Sequence, residues 1–166
     1  PGMAMVAVSP FAWEKHQKST FPRYYLDLTL YEKFGQKNQT PATPAVSVLF
    51  SLQAALSTMR KQGREKIFKK HLKLRDYFRK QIKKMGLKLV VDDRDASPTV
   101  TSIWPPNGVD EASWRKLLRE KYDLVIAGGM GELKGKIIRV AHMGYVTKSD
   151  LTQVVDSFKK SLNEIA

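Results

Sequence analysis

DLVIAGGMGELKGKIIRVAHMG, residues 123–144, sets two apolar runs on either side of a glycine-rich turn. Asp123 to Ala127 reads as a strand running into Gly128-Gly129-Met130-Gly131, and Lys136 to Val140 as a second strand. The glycines suggest a phosphate loop, but the spacing excludes it. A Walker loop ending at Gly135-Lys136 would need glycine where Met130 stands and a hydroxyl where Ile137 stands, and a dinucleotide fingerprint from Gly129 fails at Lys134. A flexible turn between strands is the reading that survives. Upstream, Pro105-Pro106-Asn107-Gly108 is a break followed by a helix over Asp110 to Lys121. Pro98 to Trp104 and Leu87 to Val91 alternate as strands do. Downstream, Thr147 and Asp150 make a capping-box-like start, with Asp in place of the usual Glu, for a helix through Leu162. Strands alternating with helices, without an internal repeat, predict an α/β or α+β layered domain.

Before Gly86 the texture is helical and basic. Ile67, Leu74, Phe78, Ile82 and Met85, with His71 in the gap, mark one face of an amphipathic helix. Arg60 to Lys88 holds thirteen basic residues and two acidic ones, Glu65 and Asp76, so +11 of the net +13 lies there. Most of these bases fall opposite the apolar stripe, as on a solvated helix. A polyanion or nucleic-acid surface on Arg60 to Lys88 is the alternative, although Tyr77 and Phe78 are more easily placed in or beside the buried stripe than exposed among the bases, as single-strand binders need. Ala45 to Gln62 predicts another amphipathic helix, closed by Gly63. Gln36 to Pro44, QKNQTPATP, is a polar loop in which Pro41 and Pro44 force Thr40 and Thr43 toward extended backbone. Tyr24 to Phe34 predicts a helix ending at Gly35. Ser9 caps a helix with Pro10 at its first position. Ala4 to Val8 reads as a buried strand, and Pro1-Gly2-Met3-Ala4-Met5-Val6 resembles the interior of a protein.

The chain has 166 residues and no cysteine, which removes thiolate metal sites, disulfides and cysteine nucleophiles and fits a reducing, cytoplasmic setting. His16, His71 and His142 lack paired ligand spacing, so a structural role is the better reading for each. No G-x-S-x-G elbow is present. No apolar run approaches the roughly 18 residues that would cross a bilayer. Residue chemistry alone stops at a basic α/β domain.

Three stretches, in order, carry more. Pro1-Gly2-Met3-Ala4-Met5-Val6-Ala7-Val8-Ser9 resembles the segment after the cofactor lysine of class V, fold type I pyridoxal-phosphate aminotransferases. Tyr24-Tyr25-Leu26-Asp27-Leu28 and Gln39-Thr40-Pro41-Ala42-Thr43-Pro44 resemble the family's helix and phosphate-approaching loop. Gly128-Gly129, then Gly135-Lys136-Ile137-Ile138-Arg139-Val140-Ala141-His142-Met143-Gly144, is similar to its C-terminal signature. The branch resembled is the alanine/serine–glyoxylate (or pyruvate) aminotransferases, some of which carry a soluble-hydrogenase label. A hydrogenase metal site would need thiolates, and so would the persulfide chemistry of a cysteine desulfurase.

The resemblance implies a small sheet covered by helices as a C-terminal domain over 46–166. It makes residues 1–45 a remnant of the cofactor-binding large domain and inter-subunit loop. It gives Arg139 the substrate carboxylate, for which a planar guanidinium fork is suited. Thr43, with Thr40, would contact the cofactor phosphate of a neighbouring subunit in a homodimer. The Schiff-base lysine is expected upstream of Pro1, so the chain alone is expected not to transaminate. Small amino acids and 2-oxo acids are the implied substrates.

Overall fold

In the computed structural model, which describes residues 2–165, the chain separates into two units, one up to Lys61 and one from Gln62. This division falls one helix later than the 45/46 boundary that the resemblance implies. Pro1, part of the opening motif, and Ala166, the end of the implied small domain, lie outside the described residues.

The first unit holds α1 (Pro10–Lys18), α2 (Leu28–Gly35) and α3 (Val46–Gln62). Ser9 caps α1 as expected, its hydroxyl accepting from the Ala12 amide at 3.2 Å. Helix α2 starts later than Tyr24, because the Asp27 carboxylate accepts from the Thr29 amide and caps the chain there. Tyr24 to Asp27 instead closes a turn, the Asp27 amide donating to the Tyr24 carbonyl at 3.1 Å. His16 and Thr29 meet at 2.8 Å and tie α1 to α2. Ala4 to Val8 is not a strand. A strand exists only through a paired neighbour, and no described segment pairs with it. Helix α3 forms where expected, yet Val46, Leu49, Phe50, Leu56 and Met59 are exposed along it.

The second unit contains α4 (Arg64–Lys84), β1 (Val100–Ile103), α5 (Glu111–Tyr122), β2 (Ala127–Gly128), β3 (Ile138–Ala141) and α6 (Lys148–Ile165). The three strands form an antiparallel sheet in the order β1-β3-β2, so this is an α+β unit with the last strand in the middle. Thr101, Ile103, Ile138 and Val140 turn to one face and are buried. Ile103, Ile138 and Val140 join Leu74, Phe78 and Ile82 of α4, Trp114 and Leu118 of α5, and Leu151, Val155 and Phe158 of α6 in a single core. The periodicity read for α4 is therefore its buried stripe. Inside this core the Trp114 indole donates to the Ser161 hydroxyl at 2.8 Å, which donates in turn to the Phe158 carbonyl.

Pro98 to Trp104 and Lys136 to Val140 form strands as β1 and β3, each shorter than expected, and two further expected strands shorten most, each for a local reason. Leu87 to Val91 makes only an isolated bridge, Leu89 to Ile103. Just beyond it, buried Arg79 takes the Val91 carbonyl and the Asp93 carboxylate, and a 3-10 turn follows at Asp93–Asp95. Of Asp123 to Ala127 only Ala127 pairs. Asp123 adopts the left-handed conformation, φ 50°, and the Leu124 amide bonds back to the Leu118 carbonyl, so these residues close α5 instead of extending the sheet.

Candidate functional site

Arg139 lies on β3, the central strand, with its side chain on the face opposite the core. Its cross-strand neighbours are Ser102 on β1 and Ala127 on β2. The side chain is half-buried, and its Nε donates to the Gly128 carbonyl at 2.7 Å. No described residue engages its terminal nitrogens. A guanidinium held at Nε with its outer edge open can present two parallel N–H groups to one carboxylate.

Two of the glycines read as a flexible turn, Gly128 and Gly129, are closely packed. A Cβ on Gly129 would stand 1.9 Å from the Leu133 carbonyl oxygen, and one on Gly128 2.6 Å from Oε1 of Glu111. Glu111 is buried and paired with Arg115 one helical turn on. Neither residue entered the sequence reading. The acidic–basic spacing of four was visible, but it normally marks a solvent-exposed pair, and only the fold turns this one toward Gly128.

Thr40 and Thr43 lie in the loop of the first unit and Arg139 in the second unit. Both threonines are exposed. The Thr40 hydroxyl donates to the Ala42 carbonyl at 2.7 Å. A phosphate dianion only accepts hydrogen bonds, so Thr43 fits such a group directly, and Thr40 fits once its hydroxyl turns from Ala42. The donor chemistry of this loop therefore suits one edge of a phosphate.

Two of the three histidines are satisfied as expected. His16 meets Thr29, and fully buried His142 meets Thr101 at 2.9 Å and the Pro98 carbonyl at 3.1 Å. His71 departs from that expectation, since its buried Nδ1 has no partner among the described residues. No described cluster of His, Asp or Glu could hold a metal ion. No described helix is long and apolar enough to cross a membrane.

No family profile matches the chain. It is 39% identical over 165 residues to the small subunit of a soluble hydrogenase from Synechococcus sp. (strain PCC 6716), an alignment covering 99% of this chain and 43% of that protein. An uncharacterized aminotransferase of Methanocaldococcus jannaschii is 36% identical over 167 residues, again 99% of this chain and 43% of the relative. Among solved structures, an alanine–glyoxylate aminotransferase from Nostoc sp. superposes with a TM-score of 0.85 at 28% identity, over 93% of this chain and 42% of that one. The chain thus spans less than half the length of the relatives it matches. By sequence and by fold, the chain is similar to class V, fold type I aminotransferases of the alanine/serine–glyoxylate branch, over a C-terminal portion of their longer chains.

Proposed function

We propose that this chain is the C-terminal part of a pyridoxal-phosphate-dependent aminotransferase that moves an amino group from alanine or serine to a 2-oxo acid such as glyoxylate or pyruvate. Arg139 is the substrate-binding residue. The observation that carries this reading is its setting: central strand, Nε anchored on Gly128, outer guanidinium edge open. Two charge-assisted hydrogen bonds to the α-carboxylate fix both the position and the rotation of the amino acid. Thr43, with Thr40, gives hydroxyl donors to the cofactor phosphate of the neighbouring subunit in a homodimer. Residues 1–45 complete the cofactor-binding large domain and 46–166 form the small domain. Pyridoxal phosphate, when bound, supplies an electron sink for the substrate α-carbon. The proton-shuttling lysine belongs to the upstream part of the protein, so the isolated chain is inactive.

The test is Arg139→Ala in the complete enzyme. A hydrogen bond to a charged group contributes about 1.5–3 kcal/mol, so losing the fork raises the amino-acid KM at least about tenfold. Cofactor absorbance stays as in the parent. An unchanged KM overturns the assignment.

One observation favours a second reading, in which α4 binds a polyanion. Lys66, Lys69, Lys70 and Lys73 at helical spacing, with Lys148, line a cleft of about 490 Å³. None of the five forms an ion pair among the described residues. Retention on immobilised heparin that falls steeply with salt supports it, and salt-insensitive or absent retention removes it.

A further inference from the structure

A carboxylate taken out of water is costly unless it is paired. Glu111 has 3% of its surface exposed, and its partner is Arg115. The pair presses on a single peptide. A Cβ on Gly128 would meet Glu111 Oε1 at 2.6 Å and Arg115 Nη2 at 3.2 Å, so a larger residue there would have to displace the ends of both side chains. The carbonyl of the same residue accepts from Arg139 Nε at 2.7 Å. Gly128 sits on β2, a two-residue edge strand with β3 as its only sheet neighbour. So short a ladder does little to fix the direction of its last carbonyl, and the backing from α5 supplies the missing restraint.

We propose that Glu111 is a positioning residue for Arg139. With Arg115 it clamps the Gly128 peptide from behind and so sets the aim of the Arg139 guanidinium. The functional meaning of this coupling rests on the reading of Arg139 as the carboxylate-binding residue. The coupling itself is a property of this chain.

The experiment is ¹⁵N NMR of the 166-residue chain, following the Arg139 Nε–H signal, which is assigned by its loss in Arg139→Lys. Glu111→Gln keeps the shape at 111 and removes the charge. It is expected to shift the Arg139 Nε–H signal toward that of free arginine and to speed its exchange with water about tenfold, a change of about 1.4 kcal/mol. Arg115→Gln, at the part-exposed end of the pair, is expected to act in the same direction. An unmoved Arg139 signal in both variants, with amide dispersion intact, overturns the proposal. Where Glu111→Gln fails to fold, Arg115→Gln alone decides it.

In the complete enzyme, Glu111→Gln should raise the amino-acid KM while leaving kcat closer to the parent value. If Arg139→Ala leaves KM unchanged, the carboxylate reading falls while the NMR coupling stands or falls by itself.

Discussion

His142 shows how one buried side chain makes stability depend on pH. A carbonyl can only accept, so the contact with Pro98 places the proton on Nδ1, and Nε2 then accepts from the Thr101 hydroxyl. A second proton would charge the ring inside the core and oppose that hydroxyl. Burial is the main cause holding its pKa below the ordinary value of 6.5, with smaller opposing and reinforcing effects from Pro98, His71 and Arg75. Between the folded and unfolded pKa values the unfolded chain binds more protons, so unfolding is favoured as pH falls through that window. The contribution of His142 is complete above about pH 6.5 and declines below it. Urea denaturation across pH 5–8 is expected to show this rise. His142→Gln should flatten it at a lower overall stability, and an unaltered pH dependence in that variant would refute the assignment.

Among the elements, α6 has the most explicit start signal. The Thr147 amide and hydroxyl both donate to the Asp150 carboxylate, at 2.8 and 2.9 Å, and the Asp150 amide donates back to the Thr147 hydroxyl. Asp therefore closes the box that Glu usually closes. The Thr147 backbone amide, first among several contacts, holds the Asp150 carboxyl below the ordinary carboxylate range. Removing the hydroxyl by Thr147→Ala leaves the Asp150 amide without its cap and should cost about 1 kcal/mol. The readout is a shifted denaturation midpoint with an unchanged slope. Helix α5 ends with equal clarity, Asp123 turning left-handed so that the following residues fold back on the helix. That ending is why β2 begins only at Ala127.

At the scale of the molecule, every buried apolar side chain described lies between Leu74 and Phe158, within the second unit. The helices of the first unit bury none. Residues 62–166 are therefore expected to fold by themselves, with cooperative unfolding and the same near-ultraviolet signature of Trp114 packed on Phe158. Loss of that signature in the shortened chain would show that the core depends on residues before Gln62. The charge of +13 adds to solubility through net repulsion between molecules and does not define the fold.

What could be read from the sequence follows from the range of the interactions. Helix hydrogen bonds join residues four apart, and caps act within one turn, so α1, α3, α4, α5 and α6 were legible together with Ser9, Thr147 and Asp150. Strand pairing joins distant segments, so apolar runs and alternation over-read Ala4 to Val8, Leu87 to Val91 and Asp123 to Ile126. The α+β character and the likeness to class V aminotransferases were legible because patterns and ordered motifs spread along the chain carry them. Arg139 is singled out by that resemblance alone and not by its own chemistry, which is that of any arginine on a strand. Its anchoring on Gly128 was decided by tertiary structure, as was the burial of Glu111 with Arg115 behind that glycine. An ion pair at helical spacing looks the same in a sequence whether it faces water or a neighbouring strand, and only packing brings α5 against β2.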